Sequence, residues 1–186
     1  MKTVFVGKGR RRTYARFVTT LVGLIASLWL TSAVFAQNPS QQNDDEVLAP
    51  VAVKKDLYPA DADAKKEIEE AMKKAASDKK RVLLTFGGNW CYDCHVLDRA
   101  LHEGAAGKIM KESFLLVHVD IGEGNKNLDL LKKYKIPLEK GVPAVAILDS
   151  AGSLLYSSGD GEFEAARKMM KKDLVAFLQR WRKTKP

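Results

Sequence analysis

The stretch GGNWCYDCH, residues 87–95, holds the only two cysteines of the 186-residue chain, Cys91 and Cys94. The apolar run RVLLTF, residues 81–86, precedes it and is typical of a strand covered on both faces. A helical pattern begins at the cysteines themselves. Because residues i and i+3 share one face of a helix, this spacing allows a Cys91–Cys94 disulfide within the first helical turn.

This placement favours redox chemistry at the cysteine pair. The partial positive charge of a helix N-terminus stabilises a thiolate on Cys91, the form that attacks a disulfide. Cys94, one turn further along, is placed to attack the resulting mixed disulfide. A structural zinc site would need four ligands, more than this pair supplies. A purely structural disulfide remains an alternative, although so short a loop constrains the unfolded chain little. We therefore expect no metal and no organic cofactor.

The pattern of apolar residues predicts an α/β fold. Strands are predicted at residues 81–86, 114–121, 143–149 and 153–158. Helices are predicted at residues 61–80, from the cysteines to near Gly104 with a second piece at 105–112, at 127–134 and at 171–181. Alternation of strands and helices implies crossovers and parallel pairing, and the final hairpin adds an antiparallel strand. The expectation is a three-layer α/β/α sandwich with a central mixed sheet.

Residues 1–36 have the features of a signal peptide. They contain six basic residues and no acidic ones, followed by an uncharged run from 17 to 35. Val34 and Ala36 stand at positions −3 and −1 of a possible cleavage site. The alternative is an uncleaved membrane anchor, since the run is nearly long enough to span a bilayer. Either interpretation predicts an exported, periplasmic protein that touches the membrane only through this segment, if it is uncleaved.

The rest of the chain divides into a linker, one domain and a short tail. Residues 37–60 are polar and contain prolines, which predicts a flexible linker. The domain is expected at residues 61–182, and residues 183–186 form the tail. Beyond residue 36 there are 25 basic and 23 acidic side chains, so the body is nearly neutral. This balance gives no indication of nucleic-acid binding.

The motif FGGNWCYDC after an apolar strand, with GVPA about fifty residues later before another strand, resembles the thioredoxin superfamily. The resemblance covers about residues 61–182 and implies a thioredoxin-like fold. It also implies that the Val142–Pro143 peptide bond is cis and faces the disulfide, and that the Val142 backbone pairs with a substrate chain. An ordinary trans proline opening an edge strand is the alternative for Pro143. Trp90 is expected at the edge of the site, where it packs or holds an incoming chain.

The chain departs from the thioredoxin pattern beneath the cysteines. Thioredoxins usually carry a buried aspartate six residues before the first cysteine, thought to move the proton of the second. Here that position is Thr85, which cannot act as a base. Asp98, one helical turn beyond Cys94, and His118, on the next strand, are candidates for this proton transfer, as is water. The simpler alternatives are a solvated Asp98 and a hydrogen-bonded His118 within the sheet.

Asp93, between the cysteines, bears on the direction of the redox reaction. Its negative charge beside Cys91 opposes thiolate formation, and strong disulfide-forming oxidants depend on a very stable thiolate. This favours a reductase, although a protonated His95 would offset the charge. The sequence thus predicts a protein-disulfide reductase that acts on protein disulfides and receives electrons from a membrane-bound thiol donor. A non-catalytic binding or chaperone module with a structural disulfide is the alternative function.

Overall fold

The computed structural model describes residues 46–54 and 56–182. The predicted signal peptide or anchor, the linker up to residue 45 and the tail 183–186 lie outside the described residues. Within the described part, no helix combines the length and apolarity needed to cross a membrane.

The described elements follow the predicted order. The helices are α1 (Ala64–Asp78), α2 (Tyr92–His102), α3 (Gly104–Ser113), α4 (Leu128–Lys133) and α5 (Lys171–Trp181). The strands are β1 (Arg81–Gly87), β2 (Phe114–Asp120), β3 (Ala144–Leu148) and β4 (Leu154–Ser157). Two short 3-10 turns, Leu138–Lys140 and Ala166–Lys168, lie before β3 and before α5.

The four strands form one mixed sheet in the order β2-β1-β3-β4. The β1–β2 pair is parallel, but β3 runs antiparallel to β1, so the predicted parallel pairing is wrong for this strand. The helix between the two strands, α4, does not carry the chain back along the sheet. Its six residues span about 9 Å, whereas a seven-residue strand is about 23 Å long. The chain therefore re-enters the sheet from the end at which β2 stops, and β3 runs back.

Helices cover both faces of the sheet, as the prediction of a three-layer α/β/α fold required. Alternation along β1 separates its side chains: Leu84 joins the core that includes residues of α1 and α4, and Leu83 joins the core that includes residues of α2, α3 and α5. Both side chains are fully buried. Because β1 is central and buried on both faces, its carboxyl end holds the loop that carries the cysteines in a fixed position.

The second half of the predicted linker packs on the domain, which corrects the boundary at residue 61. We call residues 46–54 and 56–60 the N-terminal strap. Leu48 and Tyr58 are 3% and 1% exposed, and the Leu48 N–H donates to the Met169 carbonyl at 2.9 Å. Full burial of a large apolar side chain is worth about 1.5–3 kcal/mol. A few such side chains thus fix a segment whose overall composition is that of a linker.

Candidate active site

The two cysteines lie at the start of α2, where the sequence predicted them. Cys91 is the N-cap residue and is joined to Cys94 by a disulfide, with a Cα–Cα distance of 5.3 Å. The Cys94 N–H also donates to the Cys91 sulfur at 3.1 Å. In this disulfide form Cys91 is 5% exposed and Cys94 is 1% exposed. Cys91 is therefore the more exposed of the two residues, although both are largely covered.

The loop before β3 packs against the Cys91–Cys94 disulfide. The Val142–Pro143 peptide bond is cis. The Val142 carbonyl oxygen lies 3.6 Å from the Cys91 sulfur, and the half-buried Val142 packs against the buried cluster that contains both cysteines. Pro143 is buried at the start of the strand. Val142 thus presents its backbone directly at the reactive sulfur.

Trp90 forms the exposed border of this region. Its side chain is 54% exposed, although it precedes a nearly buried cysteine. The indole N–H donates to the Gly122 carbonyl at 2.8 Å, which fixes the ring on the loop after β2. One face of a large apolar ring is therefore held open to solvent beside Cys91.

Tyr58, from the N-terminal strap, is a site residue that the sequence analysis missed. Its N–H donates to the Asn89 side chain at 2.9 Å, and the Asn89 amide returns a bond to the Tyr58 carbonyl at 2.8 Å. Tyr58 belongs to the same buried cluster as Cys91 and Cys94. Burial raises the pKa of its hydroxyl. A large apolar pair, Leu57-Tyr58, inside a polar stretch was the only available signal.

Asp98 and His118, the predicted proton-transfer candidates, contact each other. Asp98 is 4% exposed, which excludes a solvated side chain, and its carboxylate lies 3.1 Å from His118 Nε2 and 3.1 Å from the Lys54 amine. Burial alone would raise the pKa of Asp98, but hydrogen bonds from His118 and Lys54 outweigh it and lower the pKa to about 2. His118 also packs edge-on against Tyr58, with ring centroids 5.3 Å apart. Asp98 is therefore a carboxylate at any working pH, and a weak base.

Thr85 occupies the place beneath the cysteines that the resemblance assigns to an aspartate. Its side chain is 2% exposed and it is aligned with His118 in the parallel β1–β2 pair. The hydroxyl has no hydrogen-bond partner of good geometry in the described part of the chain. Because Thr85 is neutral, a proton acceptor for Cys94 has to come from another group, and Asp98 and His118 are the predicted candidates.

Asp93 is not a free charge, which corrects the sequence-based view of the cysteine motif. Its side chain is 7% exposed and accepts hydrogen bonds from the Arg167 backbone N–H at 2.7 Å and from Arg167 Nε at 2.9 Å. A terminal guanidinium nitrogen of Arg167 completes the ion pair. The same guanidinium lies 5.3 Å from the centre of the Tyr92 ring. Arg167 thus forms an ion pair with Asp93 and stacks over Tyr92, the two residues between the cysteines.

His95 is not the group that offsets this charge. It is 2% exposed, its Nε2 lies 2.9 Å from the Asn89 carbonyl, and its Nδ1 accepts a long bond of 3.4 Å from the Lys54 N–H. Both ring nitrogens of His95 are therefore engaged with backbone groups rather than with Asp93. Among the described residues, no group of three or more His, Cys, Asp or Glu side chains is placed to hold a metal ion.

Comparison with known proteins agrees with this geometry. Residues 63–150 match a family described as thioredoxin-like. A solved structure, the disulphide isomerase from Xylella fastidiosa Temecula1, is 33% identical, with a TM-score of 0.63, over 67% of this chain and 95% of that one. This chain belongs to the thioredoxin-like family. The thioredoxin-like domain is also 26% identical, over 121 residues, to the thiol:disulfide interchange protein DsbD of Pseudomonas fluorescens. That match covers 64% of this chain and 19% of DsbD.

The relatives indicate the type of chemistry. Both have names that describe disulfide chemistry, and the thioredoxin-like domain carries a Cys-x-x-Cys disulfide at the start of a helix. Together these findings support a thiol–disulfide redox role for the domain.

Proposed function

We propose that this protein is an exported thiol–disulfide oxidoreductase that reduces protein disulfides through the Cys91–Cys94 couple. The observation that carries the proposal is the position of Cys91. Its sulfur stands at the N-terminus of α2, bonded to Cys94 and 3.6 Å from the Val142 carbonyl. A sulfur in this position is stabilised as a thiolate once reduced, and it lies next to backbone that can pair with a substrate chain.

The reaction begins with the reduced protein. The Cys91 thiolate attacks one sulfur of the substrate disulfide, forming a mixed disulfide and releasing the other substrate sulfur as a thiolate that takes up a proton. Cys94 then loses its proton and attacks the Cys91 sulfur, which frees the second substrate thiol and forms the Cys91–Cys94 disulfide. The substrate gains two electrons from the thiol pair and two protons, one balanced by the proton that Cys94 loses and the other taken from solvent. A dithiol donor restores the reduced pair by the reverse exchange.

Substrate binding is assigned to the surface around the first cysteine. Trp90 offers an exposed apolar face, and Val142, held at the cis bond before Pro143, offers backbone groups. Such a surface suits an extended chain that carries a disulfide, because backbone pairing is independent of the sequence bound.

His118 is the better of the two candidates for moving the proton of Cys94. Asp98, with a pKa of about 2, accepts a proton only weakly near neutral pH, whereas its hydrogen bond orients the His118 ring. An imidazole exchanges protons readily in that range. We expect His118→Ala to displace the pH profile of disulfide reduction and Asp98→Asn to displace it less. Unchanged profiles in both variants would remove this assignment and leave water as the proton acceptor.

The electron donor is assigned to the membrane. The sequence predicts an export signal and hence a periplasmic domain, and one relative is the interchange protein DsbD, of which the thioredoxin-like domain matches a 19% portion. A membrane-bound thiol donor accounts for both points, because the domain needs an external source of electrons to act repeatedly.

Reduction of insulin with a small thiol as donor tests the proposal. We expect Cys91→Ser to abolish the reaction. Cys94→Ser retains the attacking sulfur but lacks the resolving one, so it should accumulate a mixed disulfide that mass spectrometry identifies. Insulin reduction by Cys91→Ser at the wild-type rate would refute the catalytic role.

A binding module with a structural disulfide is the second candidate, favoured by the low exposure of both cysteines. The same assay separates the two functions. A structural disulfide predicts no insulin reduction by the wild-type protein and no mixed disulfide in Cys94→Ser.

A further inference from the structure

We propose that Arg167 is a positioning residue that sets the redox equilibrium of the Cys91–Cys94 pair through its ion pair with Asp93. The inference rests on the proposed function. It assigns control of the redox equilibrium to a residue 76 positions beyond the first cysteine. It also gives a role to the 3-10 turn Ala166–Lys168, to which the sequence analysis assigned no function.

The contact between Arg167 and Asp93 is made by several groups. The Asp93 carboxylate accepts bonds from the Arg167 backbone N–H and from the guanidinium, and the two side chains differ sharply in exposure, at 7% for Asp93 and 57% for Arg167. The buried member is therefore the carboxylate inside the cysteine motif. The hydrogen bond to Asp93 raises the pKa of Arg167, so the guanidinium stays charged.

The charge of Asp93 matters because of where it stands. Asp93 is the second residue of α2, and Cys91 caps the same helix. An unpaired carboxylate in that turn would repel the thiolate that forms on Cys91 and raise its pKa. Arg167 removes most of this repulsion. The ion pair contributes to the site as a nearly neutral unit.

The other ionisable groups packed near the pair do not take over this task. His95 on α2 has both ring nitrogens engaged with backbone groups of Asn89 and Lys54, not with Asp93. Asp98, also on α2, is paired with Lys54 of the strap and with His118 of β2. The described hydrogen bonds to the Asp93 side chain all come from Arg167, so the balance of charge within the motif depends on that residue.

Thiolate stability translates into redox equilibrium. In exchange with glutathione, the protein disulfide plus two glutathione molecules gives the protein dithiol plus glutathione disulfide. A more stable Cys91 thiolate favours the reduced protein and makes the pair more oxidising. Because Arg167 offsets the negative charge of Asp93, the Cys91–Cys94 pair is less reducing than it would be with Asp93 unpaired.

A double-mutant cycle tests this. We expect Arg167→Gln, which keeps the backbone N–H but removes the charge, to raise the Cys91 pKa and to shift the glutathione equilibrium about threefold to tenfold toward the disulfide. A tenfold shift corresponds to about 30 mV. Asp93→Asn with Arg167 intact should shift both quantities in the opposite direction. The double variant Asp93→Asn/Arg167→Gln should return to within about twofold of the wild type.

Lys168→Gln is the matched control, because it removes the same charge from the next residue, which is exposed and makes no described hydrogen bond to Asp93. A merely structural Arg167 would lower the melting temperature in Arg167→Gln but leave the Cys91 pKa at the value in Lys168→Gln, which would overturn the proposal. An unchanged pKa in Asp93→Asn would overturn it as well, even where Arg167→Gln fails to fold. The Cys91 pKa is measured by the rate of alkylation without any substrate, so this test is separate from the insulin assay of the proposed function.

Discussion

At the scale of single residues, Gly87 shows how little space surrounds the second cysteine. It is the last residue of β1, and a Cβ placed on it would lie 2.5 Å from the Cys94 sulfur and 2.7 Å from the Tyr58 hydroxyl. Neither neighbour can retreat, since one is held in a disulfide and the other is 1% exposed. Glycine at this position is therefore required by the close approach of the strap to α2.

Gly87→Ala should destabilise the disulfide form by about 1–3 kcal/mol, because the added methyl group overpacks a closed site. Urea denaturation of the oxidised protein measures the effect. Gly159→Ala is the control, since a Cβ there meets nothing within 4 Å and the change should be neutral or slightly stabilising. Equal stability of the two variants would show that the strap and α2 are not in contact at Gly87.

At the scale of elements, the sequence predicted what depends on neighbouring residues. The Cys91–Cys94 pair, the strand before it and the helix after it follow from local spacing, and the structure reproduces all three. It could not predict the pairing of Asp93 with Arg167, which are 74 positions apart and connected only through the fold. The direction of β3 was also missed, because alternation of strands and helices does not show whether the short α4 carries the chain back along the sheet.

The strap is the element whose correction is easiest to check. Leu48→Ala should lower the free energy of unfolding by about 2–4 kcal/mol, because Leu48 is 3% exposed in the core between α2 and α5. Val53→Ala, at a strap residue that is 54% exposed, should change it by less than about 0.5 kcal/mol. Thermal and urea unfolding of both variants measure the difference. A flexible linker would make both substitutions neutral.

At the scale of the whole molecule, the candidate site is assembled from distant parts of the chain. The strap supplies Tyr58, α2 supplies the cysteines, the loop before β3 supplies Val142, and the turn before α5 supplies Arg167. Only the cysteines and the cis-proline loop belong to recognisable sequence motifs. Tyr58 and Arg167 belong to none and reach the site only through the fold. Sequence analysis therefore found the reacting residues of the site but not those that surround them.

The backbone bonds at the start of the strap have a mechanical consequence. The Leu48 N–H binds the Met169 carbonyl at 2.9 Å, and the Lys171 N–H binds the Glu46 carbonyl at 2.8 Å. Tension transmitted along the chain into Glu46 would load these two bonds before it strained the sheet. These bonds involve residues two and four positions beyond Arg167, so a force applied before Glu46 would act next on the turn whose Arg167 pairs with Asp93.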